Sequence, residues 1–173
     1  MTVMRRGEAR LARAELRAAR GVLLVSREPP NGAPPAPGQP ATVPANPAEG
    51  SEPLIAVWDD GSITALHGHV DLGTGLRTAL AQIVAEELDA ALADVHVALG
   101  DTARAPNQGA TIASSSIQVH GEPLRRAAAQ AGAWLAANGG IAALRDRHVD
   151  LMLDPAAPTK APADYGVDRK AHV

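Results

Sequence analysis

The 173-residue sequence contains no cysteine, no phenylalanine, one tyrosine and two tryptophans. Without cysteine the chain forms no disulfide, holds no cysteine-bound zinc or iron–sulfur cluster, and offers no thiol nucleophile. Much of the 46% hydrophobic content is alanine, and each alanine buries little surface at roughly 25 cal/mol per Å². We therefore expect a domain of limited intrinsic stability that is stabilised by a partner.

The formal net charge is −3, so no general attraction to nucleic acid or to a membrane surface is expected. No run of residues approaches the ~18 apolar residues that span a bilayer. Arg5 and Arg6 make the start basic, but Glu8 and Glu15 interrupt it, and the apolar run 21–25 is too short for a signal sequence. We predict a basic amphipathic helix there and a cytoplasmic protein.

Composition divides the chain into four regions. Residues 1–27 are rich in arginine, alanine and leucine and predict a basic helical segment. Residues 28–51 hold most of the prolines and predict an extended linker. Residues 52–137 show the periodicity of a folded domain, and residues 138–173 predict an irregular C-terminal tail.

The periodic region predicts two strands, a helix, a strand, a loop and a second helix. The turn signal Asp59-Asp60-Gly61 between two apolar runs predicts a hairpin. Apolar residues at helical spacing predict helices over about 75–89 and 119–137, and alternation over 94–100 predicts a half-buried strand. The order β-β-α-β-loop-α predicts an α+β sandwich.

The segment Asp71-Leu72-Gly73-Thr74-Gly75 lies at the predicted strand-to-helix junction. Two glycines one residue apart let a bulky ligand approach the backbone without meeting a Cβ atom. The following helix would present free N–H groups and its positive dipole end to a phosphate or another anion. A tight turn into a helix, with Thr74 as N-cap, explains the same residues, so the motif alone leaves both interpretations open.

The loop over 102–116 combines small residues, among them Gly109, Ala110 and Ala113, with three consecutive serines. It allows close backbone approach and offers several hydroxyl donors, although serine-rich loops are usually solvated turns. The order helix, strand, loop, helix would place this loop and the Gly-x-Gly segment at one edge of the sheet.

His67 and His69 are two residues apart on a predicted strand and therefore face the same way. A metal pair is geometrically possible, but no third ligand lies at a suitable spacing. We expect solvent-facing strand histidines instead.

Glu86 and Glu87 are adjacent on the first predicted helix, so their side chains diverge by about 100°. They predict a solvated face rather than a catalytic pair. The sequence also lacks the spacing of a catalytic triad, a phosphate-binding loop and a dinucleotide-binding fingerprint.

The run 60–129, which contains both loops, resembles the molybdenum-binding subunit of xanthine dehydrogenase and aldehyde oxidase relatives. The stretch DLGTGLRTALAQIVAEELDAALADVHVALGDTARAPNQGATIASSS is most similar to the branch of nicotinate and isoquinoline dehydrogenases. The tail DLMLDPAAPTKAPADYGVDRK resembles a later stretch of those subunits, and family sequence between the two is missing near 138–147. The resemblance implies that the α+β unit is part of a larger molybdenum-binding domain.

The resemblance implies that the cofactor is molybdopterin, with the cytosine dinucleotide as a form open to the family. In the family, residues beside the first glycine of the Gly-x-Gly loop contact the pterin, and the small-residue loop packs beside the metal centre. Many relatives have glutamine in place of Thr74, and Ile112 is bulkier than the residue expected there. The implied cofactor-binding positions are Leu72, Gly73, Thr74, Gly75, Ile112, Ala113, Ser114 and Ser116.

We assign no catalytic residue and no metal ligand to this chain, because the family's glutamate base belongs to a Gly-Glu motif far toward the other end of the subunit. Gly121-Glu122-Pro123 resembles that motif superficially but aligns with the start of the second helix. The implied partners are a larger molybdenum-subunit chain, an iron–sulfur subunit that holds the [2Fe–2S] clusters, and a small-molecule substrate. Neither a nucleic acid nor a membrane span is expected.

Two functions follow from the resemblance. The first is a component of a heteromeric molybdenum hydroxylase, inactive alone, that completes a molybdopterin pocket for hydroxylating an N-heterocycle or aldehyde with oxygen from water. The second is a truncated, catalytically inactive relic or interaction module of the same family, which the missing stretch near 138–147 and the early end of the chain favour. We expect the first.

Overall fold

The computed structural model describes residues 4–29 and 50–166, and within them the chain forms a five-stranded sheet covered by helices. No helix in this described part is both long and apolar enough to cross a membrane. Short 3₁₀ turns accompany the regular elements at Arg6–Glu8, Leu92–Asp94, Ile141–Leu144 and Pro162–Asp164. The strands are β1 (Val22–Arg27), β2 (Glu52–Trp58), β3 (Ile63–His67), β4 (Val95–Leu99) and β5 (His148–Met152), and the α-helices are α1 (Arg13–Ala18), α2 (Leu76–Leu88), α3 (Ser115–Gln118) and α4 (Gly121–Asn138).

The strand order in the sheet is β4-β3-β2-β1-β5. Strand β2 is antiparallel to both β1 and β3, whereas β3 pairs with β4, and β1 with β5, in parallel. Parallel neighbours need a crossover connection, and α2 supplies it between β3 and β4. The loops that follow β3 and β4 therefore leave the sheet at the same edge.

The α+β class and the order β-β-α-β-loop-α over residues 52–137 are confirmed. At the predicted hairpin turn the Trp58 amide donates to the Ser62 carbonyl at 2.9 Å, and the Gly61 amide donates to the Trp58 carbonyl at 2.9 Å. Gly61 has a φ of +79°, which glycine adopts without a Cβ penalty. The short α3 precedes the second predicted helix.

Two strands arise in regions where no strand was predicted. The basic segment 1–27 was predicted to be helical, but its last residues form β1, because the run VLLVS pairs on both sides within the sheet. The tail 138–173 was predicted to be irregular, but β5 pairs with β1 there. The predicted linker 28–51 falls mostly on residues 30–49, outside the described residues.

Apolar side chains pack on both faces of the sheet. On one face α2 and α4 cover a large core in which Ile55, Leu80 and Leu124 are fully buried. On the other face Leu16 of α1 packs in a smaller cluster with Trp58. Each buried side chain of this size contributes about 1.5–3 kcal/mol, so the N-terminal segment is an integral layer of the fold.

A buried carboxylate joins β1, β2 and the loop after β4. Glu52 has no exposed surface. It accepts hydrogen bonds from Arg27 Nε at 3.0 Å and from the Asn107 backbone N–H at 2.6 Å, and Arg13 of α1 lies 3.9 Å away. An unpaired buried charge is strongly unfavourable. These three partners therefore stabilise the buried Glu52 carboxylate, and Glu52 in turn fixes their positions.

A second buried carboxylate holds the C-terminal segment. Glu87 was expected to share a solvated face with Glu86, but it is buried. It accepts hydrogen bonds from Arg125 Nε at 2.8 Å, the Tyr165 hydroxyl at 2.7 Å and the Lys160 backbone N–H at 3.1 Å. Burial, together with the hydrogen bond to Glu87, raises the pKa of Tyr165 to about 12. The expectation of a solvated face was therefore wrong for Glu87.

We predict that Glu52→Ala lowers the free energy of unfolding by about 3 kcal/mol, because it leaves the mostly buried Arg27 guanidinium without its counter-charge. Urea denaturation followed by tryptophan fluorescence measures the change. Glu28→Ala makes the same substitution at an exposed position close to β1, and we expect an effect within about 0.5 kcal/mol there. Equal losses in the two variants would contradict the role given to the ion pair.

Candidate functional site

The loops that follow β3 and β4 enclose a cavity of about 500 Å³. Its position follows from the parallel pairing of those strands, because their carboxyl ends meet at one edge of the sheet. Helix α2 forms the floor between the two loops. The residues lining the cavity are Val70, Leu72, Thr74, Leu76, Ala79, Thr111, Ile112, Ala113, Ser114, Ser116, Ile117 and Gln118.

The structure brings together the two segments that the sequence analysis singled out. Several of the lining residues were not predicted from the sequence, and two of them, Val70 and Ile117, carry a signal as apolar residues in otherwise polar loops. Gly73 and Gly75 lie in the same loop as the lining residues Leu72 and Thr74. The predicted positions that line the cavity are Leu72, Thr74, Ile112, Ala113, Ser114 and Ser116.

Asp71 determines how α2 begins. Its carboxylate accepts hydrogen bonds from the backbone N–H groups of Gly73, Thr74, Gly75 and Arg77 at 2.9–3.2 Å. These bonds, that of Arg77 foremost, hold the pKa of Asp71 below its ordinary value. This carboxylate therefore occupies four of the N–H groups at the junction, among them that of Arg77 in the first turn of α2, which a bound anion would otherwise use. Thr74 is also not the N-cap, since Gly75 holds that position.

Gly73 and Gly75 leave open space in the loop whose residues Leu72 and Thr74 line the cavity. Their φ angles are +89° and +76°, in the left-handed region that favours glycine. A Cβ atom added to either residue would meet no atom of the chain within 4 Å. The space beside both glycines is therefore available to a ligand.

The opposite wall contains strained backbone. Ala113 and Ser114 have φ angles of +57° and +55°, a conformation that costs a residue with a side chain about 1–2 kcal/mol. Within the described part of the chain, their backbone N–H groups donate no hydrogen bond. Strained backbone in a cavity wall is typical of ligand-binding sites.

Three histidines form a buried cluster behind this wall. The ring centroids of His67 and His69 are 5.3 Å apart, and those of His69 and His120 are 4.4 Å apart. The expectation of solvent-facing histidines was wrong, since His67 and His69 have no exposed surface. Burial, with a smaller contribution from the neighbouring His69, lowers the pKa of both His67 and His120 to about 4.

Ser116 connects the cavity wall to these histidines. The His69 backbone N–H donates to His67 Nδ1 at 3.2 Å, so His67 carries its proton on Nε2 and donates it to the Ser116 carbonyl at 3.2 Å. His69 Nε2 donates to the Gln108 carbonyl at 3.3 Å, and His69 Nδ1 lies 2.8 Å from the Ser116 hydroxyl oxygen. His67 is thus in its neutral form, and Ser116 contacts both imidazoles through its carbonyl and its hydroxyl group.

Further hydrogen bonds hold the two loops together. The Val70 amide donates to Thr111 Oγ1 at 3.0 Å, and the Gly68 amide donates to Gln108 Oε1 at 2.7 Å. A Cβ atom on Gly68 would lie 2.2 Å from the Pro106 carbonyl oxygen. This close approach of two backbones requires glycine at position 68.

The chemistry of the cavity is that of a binding site. Its described lining residues combine apolar side chains with hydroxyl groups and the Gln118 amide, without a titratable side chain among them, a composition suited to holding an organic ligand. Among residues 4–29 and 50–166, no group of three or more His, Cys, Asp or Glu side chains is arranged to hold a metal ion.

Comparison with known proteins points to one family. The family described as molybdopterin cofactor-binding domain matches residues 5–151. A nicotinate dehydrogenase subunit of Pseudomonas putida is 55% identical over 127 residues, which cover 72% of this chain and 10% of that protein. A xanthine dehydrogenase of Blastobotrys adeninivorans is 36% identical over 83 residues, or 48% of this chain and 6% of that protein. Aldehyde oxidase 2 of Macaca fascicularis is 34% identical over 74 residues, or 43% of this chain and 6% of that protein.

The chain thus aligns with a tenth or less of the length of these three relatives. The matched family region includes both cavity loops and the histidine cluster. It therefore covers all the residues described for the site.

We predict that the free energy of unfolding falls as the pH decreases from about 6.5 to about 4. The histidine pKa values are depressed in the folded state, so the unfolded chain binds protons first. The stabilisation is complete above pH 6.5 and is lost as the pH falls toward 4. The difference between the unfolded and folded pKa values of His67 corresponds to a loss of about 3 kcal/mol in the free energy of unfolding.

Urea denaturation at a series of pH values checks this prediction. His67→Asn should flatten the pH dependence between 6.5 and 4. His148→Asn, at an exposed histidine of β5, should leave it unchanged. A His67→Asn variant with the original pH dependence would argue against the neutral cluster.

Proposed function

The chain belongs to the molybdopterin cofactor-binding domain family, and we propose that the cavity between the loops after β3 and β4 binds part of a molybdopterin cofactor. One observation carries the proposal. The loop that contains Gly73 and Gly75 lines the cavity through Leu72 and Thr74, and the strained pair Ala113 and Ser114 lines it from a separate segment of the chain. Such convergence in a cavity without titratable groups favours binding of a large, rigid organic group.

The residues present fit the ring portion of such a cofactor. Leu72 and Ile112 offer apolar surface, and both are exposed in this chain. The unpaired backbone N–H groups of Ala113 and Ser114 are donors for polar ring atoms, and Thr74 adds a hydroxyl. The Asp71 carboxylate repels a phosphate from the start of α2, so we assign the cofactor's phosphate to another part of the assembly.

We propose that the assembly is a molybdenum hydroxylase. When bound, the cofactor would supply the two-electron redox chemistry that hydroxylates a carbon of an N-heterocycle or aldehyde with oxygen from water. The names of the relatives, nicotinate dehydrogenase and aldehyde oxidase, support these two substrate classes. This chain's share is to bind and orient the cofactor. Its described residues place no acidic or basic side chain in the cavity, and we assign the catalytic base to a partner chain.

The surface around the cavity supports a partner. Its rim exposes large apolar side chains, and a surface of this kind marks an interaction site. We propose a larger molybdenum-subunit chain on this rim and an iron–sulfur subunit beyond it, in a cytoplasmic complex that uses the cytosine dinucleotide form of the cofactor. The exposed rim residues are Val70, Leu72, Ile112 and Ile117.

We predict that Gly73→Ala reduces cofactor retention at least tenfold, because the added methyl group enters the space left open for the ligand. The tagged chain is co-expressed with the larger chain in a host that makes molybdopterin. Pterin fluorescence after oxidation and molybdenum content are then measured in the purified complex.

Gly139→Ala is the matched control. Gly139 has a φ of +92°, lies at the end of α4, and likewise has no atom within 4 Å of an added Cβ. It therefore reproduces the backbone strain without touching the cavity. Equal retention in the two variants would exclude the proposed site. A wild-type chain that recovers neither partner nor pterin would instead support an inactive relic.

A further inference from the structure

A second cavity, of about 540 Å³, opens along the edge of β4 that pairs with no other described strand. It shares no lining residue with the proposed cofactor cavity. All residues of β4 line it, and Leu92, Arg104 and parts of α2 and the N-terminal segment complete it. The contributions of α2 and the N-terminal segment are Arg77, Thr78, Ala81, Gly7, Glu8 and Arg10.

The lining is rich in positive charge. Arg10, Arg77 and Arg104 line the cavity, and Glu8 is the acidic residue among the described lining residues. With the Asp101 carboxylate beside Arg104 counted as well, three guanidinium groups against two carboxylates leave one positive charge. The nearby Asp101 carboxylate lies 4.0 Å from Arg104 Nη1, beyond hydrogen-bond distance.

Arg104 is buried with few acceptors. Its side chain is 10% exposed, and its Nε atom is buried without a hydrogen-bond partner among the described residues. Its hydrogen bond to the Ala9 carbonyl is long at 3.4 Å. Burial lowers the pKa of Arg104, the Asp101 carboxylate opposes that shift, and the charge of Arg10 adds to it.

His96 adds a second unsatisfied group to the same cavity. Its Nε2 atom is buried and has no hydrogen-bond partner within residues 4–29 and 50–166. Buried polar atoms without partners are unfavourable. An anion in the cavity would offset the cost of burying the Arg104 charge, because charge attraction acts over a longer distance than a hydrogen bond.

Arg77 argues against a peptide strand as the occupant. Its Nη1 donates to the Val97 carbonyl on the edge of β4. An added strand would need that backbone acceptor, and a charged side chain across an edge is a common protection against strand addition. The cavity therefore favours a small anion.

We propose that this cavity binds a small organic phosphate held by Arg10, Arg77 and Arg104. Guanidinium groups match phosphate oxygens through paired hydrogen bonds, and positive charge exceeds negative charge around the cavity. Val95, Ala98 and other apolar atoms of β4 leave surface for an organic substituent beside the phosphate.

Titration calorimetry of the cofactor-free full chain at low ionic strength tests the proposal, with phenyl phosphate and inorganic phosphate as probes. Phenyl phosphate should bind saturably and more tightly than inorganic phosphate. Arg10→Gln should weaken its binding about tenfold. Arg10 is exposed, so this variant should keep its circular dichroism spectrum, and Arg104→Gln should weaken binding at least as much if it folds.

Arg145→Gln is the matched control, because Arg145 is exposed and lies outside this cavity. It removes the same charge and should leave affinity unchanged. Absence of saturable binding, or equal weakening by Arg10→Gln and Arg145→Gln, would overturn the proposal. Equal affinity for phenyl phosphate and inorganic phosphate would contradict the proposal that the ligand is an organic phosphate. Gly73→Ala should not affect binding, which separates this site from the proposed cofactor cavity.

Discussion

Strands β3 and β4 pair in parallel from Ile63 opposite Val95 to His67 opposite Leu99. Because a parallel pair requires a crossover, α2 must run back between them, and both strands end at the same edge. The two loops that leave this edge enclose the first cavity. The other side of β4 stays unpaired among the described residues, and the second cavity forms along it. The pairing of β3 with β4 therefore determines the positions of both cavities.

Buried polar groups connect parts of the chain that are distant in sequence. Glu52 joins β1 to the loop after β4, and Glu87 joins α2 to α4 and the C-terminal segment. The histidines at the end of β3 bind Ser116 through both its hydroxyl and its carbonyl group. In an alanine-rich core, where each side chain fills little volume, such directional contacts define one arrangement of the layers.

Local patterns predicted the hairpin, α2, β4 and α4, because periodicity is visible within a short window. Strand β1 and its parallel partner β5 were missed, since their pairing joins opposite ends of the chain. The burial of His67 depends on the loop that covers it, and the strain at Ala113 depends on backbone angles that composition does not encode. Asp71 carried a local signal that could have revealed its capping role, because it is a carboxylate just before a helix.

The pairing of β5 with β1, Val22 opposite His148, also has a consequence for synthesis. A ribosome adds roughly 5–20 residues per second, so β1 to β4 emerge well before β5. Until then β1 forms an outer edge of the sheet, and Glu87 lacks its bonds to Lys160 and Tyr165. The nascent chain therefore exposes the unpaired edge of β1 until residues 148–152 have been translated, and such an edge is a template for pairing with another chain.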